Sequence, residues 1–185
     1  MTWSEYESPF GRLTVVASEQ GVRELHFPGR APELDPCERD PESLRAVCEQ
    51  LDEYFAGERE RFEVALDLQG TPFRRRVWEA LRELPYGEVT TYGRLAAELG
   101  VRDAARPGTR PATAAQKVGW AIGATPAPIV IPCHRVMAAD GSLTGYRGGL
   151  QRKRALLDFE AAGAARSDFW SHRGQLALRA PKPRR

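Results

Sequence analysis

Cysteine is scarce in this chain, whose 185 residues hold only Cys37, Cys48 and Cys133. An odd, small count without CxxC spacing argues against a disulfide framework and points to a reducing cytoplasm. Histidine is equally sparse, and His26, Cys37 and Cys48 lack metal-ligand spacing, so no metal is expected. No apolar run approaches the length that crosses a bilayer. The opening MTWSEYESPFGR has no basic start followed by an apolar stretch, so neither a secretory signal nor a membrane partner is expected. The length suits one ordinary domain or two small ones with a real core.

Charge is plentiful but unevenly placed. Residues 1–70 carry 7 Lys/Arg against 16 Asp/Glu, residues 71–160 carry 14 against 8, and residues 161–185 carry 6 against 1. An acidic part followed by a basic one suggests different partners for each, with the basic part facing a polyanion.

The first seventy residues predict a small α+β unit. RLTVVAS and VRELHF flank a Gly-containing turn and predict a hairpin. In SLRAVCEQLDEYFAG, Leu44, Val47, Cys48, Leu51, Tyr54 and Phe55 recur at helical spacing before Gly57, which places Cys48 in the core. RFEVALDL alternates and predicts a half-buried strand. Thr71 and Pro72 form an N-cap and first-turn pair for a helix through FRRRVWEALREL, with Phe73, Val77, Trp78, Leu81 and Leu84 inward. TYGRLAAELG predicts a short helix. TAAQKVGWAIG predicts another, capped by Thr113, whose small residues suit close approach to a surface or tight helix packing. The layout is that of a helix-turn-helix. IVI predicts a short buried strand stopped by Pro132, AADGS a reverse turn, and LQRKRALLDFE a last helix with Leu150, Leu156 and Leu157 inward. The predicted division is 1–70, 71–160 and a basic, disordered tail over 161–185.

Cys133 and His134 are adjacent in this frame. A basic histidine near a thiol can depress its pKa and provide a thiolate, and a carboxylate on the far ring nitrogen would complete a relay. In an extended strand, however, neighbours point to opposite faces, so a sharp turn or a bridging water is required. A buried structural cysteine is the competing reading.

PCHRV and GSLTGYRGGLQRKRALLDFE, preceded by GTPFRRRVWEAL, PYGEVTTYGRLA and KVGWAIGATPAPIVI, closely resemble the O6-alkylguanine-DNA alkyltransferase family. SPFGRLTVVAS and LDEYFAG resemble that family's smaller domain, so the resemblance covers nearly all of the chain before the tail. It implies a small N-terminal α/β, ribonuclease-H-like domain and a mainly helical C-terminal domain with a helix-turn-helix. It also implies direct-reversal DNA repair without a cofactor: a monomer flips O6-alkylguanine from double-stranded DNA and moves the alkyl group irreversibly to its own cysteine. By resemblance Cys133 is the acceptor, His134 its base through a water, Glu160 the residue that orients His134, and Tyr92 the donor to the leaving guanine. Val136, Tyr146, Arg147, Gly148 and Gly149 would wall the base pocket, with Thr91, Gln116, Lys117, Arg106, Arg110 and Arg135 facing DNA.

Two departures stand out. Gln116 and Thr125 occupy positions where the family carries an intercalating arginine and an asparagine. The connector GVRDAARPGTRPAT is longer than the usual turn and contains Arg102, Arg106 and Arg110. They keep open two other expectations: a lesion-binding sensor that transfers nothing, or an alkyl acceptor for a different substrate.

Overall fold

The structure, a computed structural model, describes residues 1–103 and 112–162. Arg106, Arg110 and all of the basic tail from residue 163 lie outside the described residues. Within them the architecture is α+β, with a three-stranded sheet and one helix followed by a mainly helical part.

The sheet starts one strand earlier than periodicity predicts. β1 (Thr2–Ser8) pairs antiparallel with β2 (Gly11–Ser18), and β2 with β3 (Gly21–His26). The inward positions of β1 include Ser4 as well as Tyr6, and a polar residue at a buried position hides the alternation. The strand predicted over RFEVALDL is corrected. Its exposure alternates, but it makes a single parallel bridge, Val22↔Leu66, to β3. Gly21 permits that approach, because a Cβ on it would lie 2.3 Å from the Ala65 carbonyl oxygen.

α1 (Arg45–Ala56) buries Val47, Leu51, Tyr54 and Phe55, and Gly57 ends it at φ 81°. Cys48 is half-buried against the same core. The ring of Tyr54 meets Phe62, Tyr86 and Phe159, so this aromatic cluster joins the N-terminal helix to the last helix of the chain.

α2 (Pro72–Arg82) starts on the Thr71 cap and buries Val77, Trp78 and Leu81. The Trp78 indole N–H donates to the Ala121 carbonyl at 2.8 Å and ties α2 to α4 (Ala114–Gly123). α3 (Tyr92–Glu98), capped by Thr91, packs against α4 as the helix-turn-helix pattern requires. Four side chains fix the start of α4. The Thr113 hydroxyl accepts from the Gln116 N–H while the Gln116 side-chain oxygen accepts from the Thr113 N–H at 2.9 Å, a reciprocal capping box. Asp103 accepts from the Ala114 N–H, and Lys117 reaches back to the Arg102 carbonyl.

β4 (Thr90–Thr91) and β5 (Val136–Met137) form a short parallel pair, and α5 (Leu150–Ala161) closes the chain. Leu156 is inward as expected and Leu157 is half-buried, whereas Leu150, the first residue of α5, projects past the packed surface and is exposed; Phe159 takes a further inward place. The inward place one turn on belongs to Lys153. No helix among the described residues is long and apolar enough to cross a membrane.

Thr113→Ala removes one side of the capping box and is expected to cost about 1 kcal/mol. Urea unfolding measures the loss, and faster amide exchange at Gln116 localises it to the start of α4.

Candidate active site

The predicted IVI strand is absent. Ile129 is buried at φ 80°, a left-handed conformation that costs a β-branched residue energy, and residues 127–131 close into a turn with the Ile131 N–H on the Ala127 carbonyl. The turn passes into a 3-10 segment, Cys133–Arg135, closed by the Arg135 N–H on the Pro132 carbonyl at 3.0 Å. This supplies the sharp turn that adjacent Cys and His need. The β3 backbone braces it from behind, since the Leu25 N–H donates to the Pro126 carbonyl.

His134 is fully buried, and its Nε2 lies 2.8 Å from the Glu160 carboxylate. A carboxylate only accepts, so Nε2 carries a proton, and the neutral form of the ring presents its lone pair at Nδ1. Nδ1 is buried and has no hydrogen-bond partner among the described residues. Glu160 is 3% exposed, not a solvated helix end. Its Oε1 accepts from His134, from Arg135 Nη2 at 2.9 Å and from the Tyr54 hydroxyl at 2.8 Å. Its Oε2 accepts from Arg135 Nε at 2.8 Å and the Gly87 N–H at 3.2 Å. Burial alone would raise the Glu160 carboxyl, but the charges and hydrogen bonds of His134 and Arg135 hold it well below the usual range.

Arg135 was expected on the DNA face, and the structure corrects this. It is 4% exposed, paired with Glu160, bonded to the Leu84 carbonyl and stacked over Tyr86. A guanidinium with those partners is committed to the interior.

The thiol also differs from expectation. Cys133 is buried, and that burial pushes it up to about 11, against the opposing pull of the Thr125 hydroxyl, the Lys153 ammonium and the Arg147 guanidinium. Burial therefore favours the protonated thiol at rest. Thr125 donates its hydroxyl to the Ile122 carbonyl beneath the turn.

Lys153 was missed by sequence reading. It is fully buried, donates to the Val136 carbonyl at 2.6 Å and the Thr144 carbonyl at 3.0 Å, and lies over the Tyr92 ring. Burial lowers its pKa while Cys133 raises it. Its spacing three residues before Leu156 and seven before Glu160 was the available signal, because all three share one helix face. Tyr54, in the distant N-terminal part, gave no such signal.

Tyr92 begins α3, and its hydroxyl donates weakly to the Thr144 carbonyl at 3.3 Å. Together with Gln116, Gly119, Thr144, Tyr146 and Arg147 it lines a groove. Thr91 is engaged as the cap of α3. Val136 is fully buried, with its carbonyl on Lys153. Gly148 is required by space, since a Cβ there would sit 2.5 Å from Phe27 and 2.7 Å from Tyr146. Gly149 takes φ 87° to start α5. The structure thus brings Cys133, His134, Glu160, Tyr146 and Arg147 together near Tyr92, and places Gln116 and Lys117 at the start of α4.

Two family models match the chain. The 6-O-methylguanine DNA methyltransferase DNA-binding domain matches residues 72–162, and the ribonuclease-like domain of the same family matches residues 1–68. A methylated-DNA–protein-cysteine methyltransferase of Mycobacterium tuberculosis is 42% identical over 85% of this chain and 91% of its own length. One of Methanosarcina acetivorans is 38% identical over 88% and 99%. Among solved structures, Mycobacterium tuberculosis OGT in complex with DNA superposes with a TM-score of 0.78 at 39% identity, covering 92% of this chain and 99% of that one.

Because the folded state holds Glu160 ionised, its contribution to stability is full above about 4.5, the ordinary value, and is lost as pH falls below it. Urea unfolding at pH 7 and pH 4 is expected to show a loss in the wild type that is smaller in Glu160→Gln, which starts less stable at pH 7. Tyr54→Phe, which removes one donor to that charge, is expected to cost about 1.5–3 kcal/mol at pH 7.

Proposed function

The chain belongs to the 6-O-methylguanine DNA methyltransferase family, and from that membership we infer how its own residues carry out the family's reaction. The protein repairs DNA by direct reversal, moving an alkyl group from O6 of guanine to a cysteine of its own chain. Its substrate is DNA that holds the alkylated guanine.

Cys133 is the acceptor. Displacement at a saturated carbon needs a soft nucleophile, which a thiolate is. The S–C bond forms as the C–O6 bond breaks, and the electron pair stays with guanine. The thiol proton leaves through a bridging water to Nδ1 of His134. Glu160 holds the opposite nitrogen and stabilises the imidazolium that forms. Tyr92 gives a proton to the departing guanine, which is a better leaving group neutral than as an anion, and its long bond to Thr144 is a small loss. Tyr146, Arg147 and the backbone of Gly148 and Gly149 enclose the base, with Val136 as apolar wall. Gln116, Lys117 and Thr91 lie toward the DNA. The product is a thioether, which water does not cleave, so each chain turns over once.

The observation that carries this reading is the buried Glu160–His134 pair, which leaves Nδ1 of His134 as the free basic atom beside Cys133 in one tight turn. Acidic residues 1–70 and basic residues 71–160 form the two functional units, and only the second approaches the polyanion. We place the protein in the cytoplasm, where Cys37, Cys48 and Cys133, all free thiols, stay reduced.

Incubation with a duplex that contains O6-methylguanine is expected to methylate Cys133 stoichiometrically, and peptide mass spectrometry locates the adduct. Cys133→Ala is expected to keep lesion binding and lose transfer. Tight binding by the wild type without an adduct would leave only a sensor, and neither binding nor transfer would indicate a different substrate.

A further inference from the structure

Trp120 has no place in the reaction described above, yet its setting is unusual. Among the described residues it is the most exposed large apolar side chain, at 66%. It stands on α4 one turn beyond Gln116, so both project from one helix face. On one side it borders the groove that contains Tyr92, Tyr146 and Arg147. On the other it borders a second groove, lined by Phe73, Arg74, Arg76, Val101, Arg102 and Lys117. That second groove carries four cations and no acidic residue. No ion pair among the described residues neutralises them. Arg76 and Lys117 bond to the neutral carbonyls of Leu99 and Arg102, which fixes them without cancelling their charge.

We propose that the face formed by Trp120 and this basic groove is a DNA-docking surface, with the indole packed against an exposed base or sugar of the duplex and Arg74, Arg76 and Arg102 on the adjacent phosphates. The proposal rests on the DNA-repair reading and adds a contact site to it. Charge supports DNA as the occupant, because a groove of unpaired cations attracts a polyanion and repels a basic protein surface. Continuity with the base groove supports it too, since one duplex can cover both sides of Trp120. A flat aromatic provides stacking without sequence preference, as lesion search requires. Gln116 is poorly placed to share this task, because its side-chain oxygen is held by the Thr113 N–H.

The test compares the wild type with Trp120→Ala, Trp120→Phe and Arg74→Ala/Arg102→Ala. Binding to an O6-methylguanine duplex is measured at several salt concentrations, and methyl transfer is measured from the duplex and from the free O6-methylguanine base. Trp120→Ala is expected to weaken duplex binding about tenfold and to lower the ratio of duplex to free-base rate, with Trp120→Phe recovering most of both. The arginine variant is expected to weaken binding and flatten its salt dependence by about one to two counterions. Wild-type duplex affinity in Trp120→Ala overturns the proposal. So does an equal fall of the duplex and free-base rates, which would place the indole in the reaction chamber. Loss of a concentration-dependent dimer in Trp120→Ala at unchanged DNA affinity would assign the face to a second copy of the chain. If the wild type transfers no methyl group from the duplex, the repair reading itself fails, and that outcome is separate from all of these.

Discussion

A carboxylate removed from water must be matched by donors, and the fold is arranged around one such group. Glu160 accepts from five donor groups on three segments: His134 and two nitrogens of Arg135 on the turn that carries Cys133, Gly87 of the loop after α2, and Tyr54 of α1. Burying an ion costs several kcal/mol, and the cost is recovered only when the geometry is complete. The same contacts that keep Glu160 ionised therefore hold α1, the loop and α5 around the turn. Tyr54 contributes in two ways, because its ring also packs on Phe159 and Tyr86. The N-terminal part is thus a supporting wall of the reactive centre, and β3 reinforces it through the Leu25–Pro126 bond.

The thiol obeys the opposite rule. Cys133 has burial without enough compensating donors, so its neutral form is favoured. A nucleophile used once benefits from this, since a thiolate exposed at rest reacts with oxidants and stray electrophiles. Charge appears at sulfur only as the proton leaves, and the Lys153 and Arg147 cations already act on it. Lys153 is placed by two carbonyls, not by an acid partner, so its positive charge stays uncancelled near the sulfur. Such preset dipoles and charges need no rearrangement during transfer.

Local signals in the sequence carried the helices and their starts. Thr71–Pro72, the 3.6-residue spacing of α1 and the Thr113 cap all depend on neighbours within one turn, and all three elements formed. Cys133, His134 and Glu160 were legible through the PCHRV and GYRGG resemblance, but their geometry was not. The strained turn at Ile129 replaces a strand that three consecutive β-branched residues predict, because Leu25 and Ala127 take up the backbone groups. Residues 62–68 kept their alternation but found only one point of pairing on β3. Arg135 looked like a surface cation because nothing near it in sequence revealed Glu160, 25 residues away, or the Leu84 carbonyl, 51 away. Tyr54 lies 106 residues from its partner, beyond any periodicity.

The start of α4 explains why Gln116 departs from the family pattern without leaving the helix loose. Three groups converge there: the Thr113 hydroxyl, the Asp103 carboxylate and the Gln116 amide oxygen each accept from a backbone N–H at or just before the first turn. A glutamine suits that reciprocal cap, whereas an arginine has no acceptor and could not close it. Asp103 belongs to the lengthened connector, so that segment supplies negative charge at the positive end of the helix dipole. A more firmly capped α4 holds its outward face in one orientation. Its side chains there are small except at Gln116, Lys117 and Trp120, so a duplex that approaches the helix meets the indole before it meets backbone.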